Sequence, residues 1–380
     1  MTRQQTRRPL AGCRILDFSS RVPGPLATQI LNEAGAEVIK IERPDGGDNL
    51  RARTPRWGDT SLSFALLNAG KRSIAVDLKC EADRERLMPL VREADIVVEQ
   101  FRPGVMARLG LGYDTLKAVN PRLIYCAITG HGQEGPLAKA AGHDLTYMAE
   151  TGLLSQTQGT DGAPILPPVL VADIGGGSMP AVINILLALR HRDLAGEGSF
   201  LDISITDNLF SFPYWGYARG AAYGDWPQAG VERLNGGSAR YQIYRTSDGR
   251  HIAAAPLEQN FWQVFCDAID LPSQWRDDRL DPAGTRAAIA DLIGRHSSSH
   301  WRRKFEGTDA CAVVVNTLQE AAEHPHFRAR GLLARQIVEQ ARSAPAWKVP
   351  LDSQFVREKA LANWPVLGEA NELLERRQDP

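Results

Sequence analysis

Two segments of this chain put a titratable side chain where a helix is expected to begin. The first reads Gly142-His143-Asp144-Leu145-Thr146-Tyr147, and its pattern predicts a helix from Gly142 out to Leu154. The second reads Val171-Ala172-Asp173-Ile174-Gly175-Gly176-Gly177-Ser178-Met179-Pro180 and runs into an apolar stretch, 181–189. Asp173 reads there as an N-cap, with Pro180 in an early helical turn. Backbone N–H groups at a helix start lack intrahelical acceptors and carry positive partial charge. An imidazole from one start and a carboxylate from the other can hold a bound molecule between them. The three glycines after Asp173 let that molecule approach the backbone. Singly, these residues have plainer uses. A histidine after glycine is an ordinary helix-terminal polar group, and Asp173 an ordinary cap. Glu258, ahead of Gln259-Asn260-Phe261, is an acid favoured by the helix dipole.

The elements ahead of these segments alternate strand and helix. Strand 14–18, helix 26–34 and strand 37–42 form one βαβ unit, parallel and right-handed. Further strands are expected at 74–78, 95–99, 123–128 and 200–205. The class is α/β, with a Rossmann-like, doubly wound parallel sheet. Ligands of such sheets gather at the C-terminal ends of the strands. Arg43, Arg102 and Arg108 follow strand ends here, with Lys79 and Arg72 nearby. A set of this kind suits a ligand carrying phosphates. No G-x-G-x-x-G follows the first strand and no P-loop lysine motif appears, so neither NAD nor ATP is implied.

With 380 residues, 43% hydrophobic and 23% charged, the chain reads as globular and long enough for two domains. A formal net charge of −1 gives no reason to expect nucleic acid or an anionic membrane as partner. The apolar run 179–189 is too short to span a bilayer. The first nine residues are polar and basic with no apolar core, so a cytoplasmic location is expected. The five cysteines are scattered singly, without metal-ligand spacing, and read as reduced thiols. The expected division is a large domain over 1–209, a linker over 210–237, a smaller α+β domain over 238–330 and a C-terminal segment, 331–380, returning to the large domain. The small domain opens with a hairpin, 241–244 and 251–255, followed by helices 259–269, 284–296 and 299–306 and a strand 312–315.

Four stretches resemble the family III CoA-transferases, the CaiB/BaiF group. They are Gly24-Pro25 with Gly35-Ala36-Glu37-Val38-Ile39-Lys40-Ile41-Glu42-Arg43-Pro44; Lys71-Arg72-Ser73-Ile74 with Asp77-Leu78-Lys79; Ala94-Asp95, Val98-Glu99, Arg102-Pro103-Gly104-Val105 and Leu109-Gly110; and Asn120-Pro121-Arg122-Leu123-Ile124-Tyr125. Within that group the Gly142-His143-Asp144 triplet, Ala172 to Met179 and Leu257-Glu258-Gln259-Asn260-Phe261 are most similar to the α-methylacyl-CoA racemase branch. The resemblance implies an interlocked homodimer with its active site between domains of the two subunits. It implies base roles for His143 and Asp173, and a partner role for Glu258. Gly142, Asp144 and Tyr147 fall to the thioester oxygen and the acyl group, with a backbone N–H after Gly142 facing the developing enolate. Coenzyme A, as part of the substrate, is implied near Val22, Arg43, Val76, Leu78, Lys79, Gln100, Phe101, Arg102 and Arg108. No metal and no organic cofactor is implied. In typical transferases of the group the aspartate matching Asp173 is the nucleophile, and no histidine is expected where His143 stands. The expected activity is therefore racemisation of 2-methyl-branched acyl-CoA, with CoA transfer through Asp173 as the alternative.

Overall fold

The computed structural model describes residues 8–159, 161–339, 342–356 and 361–375. The chain forms two compact units. The first takes the described residues up to Thr151, then 167–211 and those from Pro325 on; the second takes 152–166 and 212–324.

The first unit is built on a six-stranded sheet: β1 Arg14–Asp17, β2 Glu37–Glu42, β3 Arg72–Ala75, β4 Ile96–Glu99, β5 Ile124–Thr129 and β6 Phe200–Ser204. The spatial order is β3-β2-β1-β4-β5-β6, and every neighbouring pair is parallel. All six residues of β5 are buried, as expected of a parallel strand covered on both faces. Strand order reverses between β1 and β4, so the crevice outside their carboxyl ends is the natural place for a ligand.

A buried ionic network ties those carboxyl ends together. Asp17, the last residue of β1, accepts from Lys71 Nζ at 3.2 Å and from Thr28 Oγ1 at 2.6 Å. It also accepts from the Ser19 backbone N–H and hydroxyl. Lys40 of β2 donates to the Ser19 carbonyl and pairs with Asp48 at 3.1 Å, and the Lys40 and Asp48 side chains are both withdrawn from water. The network pins the loop that leaves β1.

Helix α1, Pro23–Glu33, follows that loop, with proline at its first position. Helix α2 covers Asp144–Glu150, shorter than the expected run to Leu154. Asp173 is not an N-cap. It lies inside a π-helical segment, Ala172–Ser178, that continues directly into α3, Met179–Ala195. The wide turn is stabilised from outside. Asn208 donates to the Gly176 carbonyl at 2.8 Å, and the Ser178 hydroxyl donates to the Pro23 carbonyl at 2.8 Å. The glycines matter because of close packing: a Cβ on Gly176 would stand 2.7 Å from the Ile205 carbonyl oxygen. Joined, the two segments make a 24-residue helix, long and apolar enough by length and composition to cross a membrane, whereas the shorter run read from sequence is not. It packs on α1 and β5 within the unit.

The second unit holds a hairpin, Gln242–Arg245 with His251–Ala254, extended by an antiparallel third strand, Ala312–Val314. Helices Gln259–Ala268, Pro282–Gly294 and Ser298–Phe305 cover it around Trp262, Phe265 and Trp301. Two details differ from the sequence reading. Residues 210–237 are not simply a linker, since they contain a helix, Tyr214–Tyr223. Residues 152–166 group with this unit; Gln156 donates to the Pro227 carbonyl at 3.2 Å. At the C-terminus, the expected segment 331–380 carries a single 3-10 turn, Asn371–Leu374, and its end, 376–380, lies outside the described residues.

Candidate active site

The start of α2 and the π-helical segment meet. Asp144, the first residue of α2, accepts the Asp173 backbone N–H on Oδ1 at 2.9 Å. His143 occupies the N-cap, but its ring does not cap. Its backbone N–H donates to Thr146 Oγ1 at 3.0 Å. Nε2 lies 3.4 Å from Nη1 of Arg21. Arg21 also acts electrostatically on Asp173. Histidine, aspartate and arginine therefore share one place in the first unit.

The electrostatics of Asp173 are unusual for a carboxyl. Burial, and then the neighbouring Asp144 carboxylate, push it up to about 6, against the opposing pull of Arg21. Such a group exchanges a proton near neutrality. Tyr147 sits in the same field: burial raises its phenol, with Asp173 and Glu150 adding to the effect. Its ring packs so closely on Gly130 and Gly142 that a Cβ on either would stand 2.6 Å or less from it. Gly142 is thus required by the packing of Tyr147 and not only as a chain break. The Asp144 N–H, first in its helix, has no intrahelical acceptor.

Glu258 lies in the second unit, exposed, at the N-cap of helix Gln259–Ala268, and does not use its side chain as a cap. Among the described residues no group of three or more His, Cys, Asp or Glu is arranged to hold a metal ion.

A cleft of about 410 Å³ opens at the switch point between β1 and β4. It gathers Arg43, Val76, Leu78, Lys79, Gln100 and Phe101 of the expected set. Val22, Arg102 and Arg108 are not among its lining residues. Val22 caps α1, while Arg102 and Arg108 are exposed around the short helix Val105–Arg108. The reason is geometric: a side chain near a strand end can project away from the crevice. Arg43 is anchored, donating to the Gly47 carbonyl at 2.9 Å and to Asn49 at 2.8 Å. Sequence reasoning missed Ser19, Ser20, Asp48 and Asn49 in the lining, and missed Arg21 beside the bases. The signal for Arg21 is its place in the loop right after the first strand.

Residues 10–371 match CoA-transferase family III. The α-methylacyl-CoA racemase of Mus musculus is 34% identical over 328 residues, 84% of this chain and 81% of that one. The acetyl-CoA:oxalate CoA-transferase of Acetobacter aceti is 32% identical, over 88% of this chain and 87% of its own. The crystal structure of a CAIB/BAIF family protein from Brucella suis superposes with a TM-score of 0.83 at 28% identity, covering 97% of this chain and 99% of that one. Match along nearly the whole length, in sequence and in fold, leads to one conclusion: the chain belongs to CoA-transferase family III, the CaiB/BaiF group of acyl-CoA enzymes.

Proposed function

We propose that this chain is a racemase or epimerase of 2-methyl-branched acyl-CoA thioesters, working by 1,1-proton transfer through an enolate. The observation that carries the reading is the convergence of His143 and Asp173 on Arg21, with the Asp173 carboxyl raised to about 6. The α-proton of a thioester is weakly acidic. One group must take it and another must return a proton to the opposite face. His143 and Asp173 are those groups, exchanging roles with direction. An aspartate that must carry a proton in one direction needs raised proton affinity, which burial and Asp144 supply. The Asp144 N–H, exposed by the break at Gly142, donates to the thioester oxygen as charge develops. Tyr147 borders the acyl group. Glu258 is assigned to His143 as the carboxylate that orients its ring and stabilises its charged form.

The CoA moiety is assigned to the cleft lined by Arg43, Val76, Leu78, Lys79, Gln100 and Phe101. Val22, Arg102 and Arg108 are kept as outer contacts, the arginines for phosphates. The reaction so described uses no metal or organic cofactor. An interlocked homodimer is proposed as the working form, and the exposed apolar Ile183, Leu187 and Leu194 of α3 favour burial against a second copy. The five free cysteines suit a reducing cytoplasm. Nothing in the chemistry calls for nucleic acid or a membrane.

The second reading is a CoA-transferase in which Asp173 attacks the thioester and carries the acyl group or CoA. Transferases among the relatives favour it. Single enantiomers of a 2-methylacyl-CoA in D2O, with no acceptor acid, separate the two by NMR at the α-position. The expected result is deuterium incorporation with inversion. His143→Ala slows exchange from one enantiomer and Asp173→Ala from the other, each by roughly 10²–10⁴-fold. No exchange on any branched acyl-CoA, with CoA transfer once a carboxylic acid is added, hands the case to the second reading.

A further inference from the structure

Arg21 is a cation that two-base chemistry does not ask for. Its backbone is left-handed, φ 64°. A bulky residue is strained in that conformation and keeps it only when its surroundings enforce it. The surroundings here are a built anchor. The Arg21 N–H faces the Asp48 carboxylate at 3.3 and 3.4 Å, and Asp48 is buried and paired with the buried Lys40. The anchor projects the guanidinium toward His143, 3.4 Å from Nε2.

Two features of that position stand out. The charge is not neutralised: among the described residues no carboxylate lies within ion-pair distance of the guanidinium, and the histidine contact occupies one of five N–H donors. The contact also covers the base. A guanidinium only donates, so it engages the Nε2 lone pair that proton abstraction needs. Its effect on Asp173 opposes the raised proton affinity which that residue needs as an acid. As a helper of the acid/base pair alone, Arg21 works against both members.

We propose that Arg21 is a specificity-determining residue that receives a second carboxylate on the acyl group, so that the favoured substrates are acyl-CoA thioesters of dicarboxylic acids. The carboxylate draws the guanidinium off Nε2 and uncovers the base as the substrate seats. A planar guanidinium matches a carboxylate through two parallel N–H donors, and a contact of 3.4 Å is easily exchanged for it. The inference rests on the acid/base reading of this same site.

The test uses matched pairs of thioesters that differ by a terminal methyl or a carboxylate: 2-methylbutanoyl-CoA against 2-methylsuccinyl-CoA, and 2-methylpentanoyl-CoA against 2-methylglutaryl-CoA. Exchange in D2O by the full chain is expected to show kcat/KM roughly 10- to 100-fold higher for the carboxylate member of at least one pair. Arg21→Gln should abolish that preference and raise exchange of the neutral member a few-fold, as the base is uncovered. Arg21→Asn, a residue that tolerates the left-handed backbone, should behave the same way, which excludes misfolding as the cause. Arg21→Lys should keep part of the preference, having charge without the fork. Equal rates within both pairs, or a ratio unchanged in Arg21→Gln, overturn the proposal while leaving the racemase reading intact. Calorimetric binding of the same pairs reads the ratio without turnover. If no thioester exchanges, the racemase reading falls, and a ratio near one in binding then sinks this proposal separately.

Discussion

Asp17 and Asp173 are the same residue type in the same unit, one buried and the other half-buried, and they end in opposite states. Burial alone raises both. At Asp17 two ammonium groups, Lys71 and Lys40, and the hydroxyls of Ser19 and Thr28 overcome it and hold the carboxyl down at about 2. At Asp173 burial is reinforced by Asp144 and only partly opposed by Arg21, so the carboxyl rises to about 6. The lesson is that partners, not depth, decide what a buried carboxyl does. A saturated one is a structural pin; an unsaturated one can trade a proton. Three experiments sharpen or break that division.

The largest effect is expected at the pin. Lys71 donates to Asp17, Thr28, Asn68 and the Pro25 carbonyl, all buried. Lys71→Met leaves Asp17 short of a partner and should cost about 3–5 kcal/mol in urea unfolding. A cost below about 1 kcal/mol would mean that the network is dispensable and the contrast empty.

A smaller effect is expected where the two regions join. Gly176→Ala drives a Cβ toward the Ile205 carbonyl, so the π-helical turn must shift. We expect a loss of about 1–3 kcal/mol in the same assay and a disproportionate loss of exchange activity, since Asp173 moves with the turn. Full activity in a destabilised variant would detach the wide turn from the placement of Asp173.

The smallest effect is on the pH dependence of stability. Asp173 is raised in the folded chain, so the folded state holds its proton better than the unfolded one. Its contribution is fully present below the ordinary carboxyl value and is lost as pH rises through about 6. Asp173→Asn should therefore gain about 1 kcal/mol relative to the parent between pH 4 and pH 8, the figure reduced for partial exposure. Asp17 has the reverse sign: its contribution is present above the ordinary value and lost as pH falls through about 2. Identical pH–stability curves for parent and Asp173→Asn would show that Asp173 titrates as an ordinary surface acid.

By itself, the sequence determined the parallel α/β class and the hairpin-led second region, because apolar runs punctuated by glycine and proline carry strand and helix periods locally. It also singled out His143 and Asp173 by motif, and six of the residues that line the cleft by motif and strand end. Tertiary structure decided the rest. Asp173 was expected at a cap and stands inside a π-helical turn, because packing against Pro23, Ile205 and Asn208, remote in sequence, widens the helix there. Arg102 and Arg108 follow a strand yet do not line the cleft, because which way a side chain projects depends on the short helix after the strand. Arg21 carries no local signal beyond its place in the loop after the first strand. Its place beside His143 comes from an anchor on Asp48, 27 residues and one strand away and itself paired with Lys40, and only the folded sheet brings those groups together.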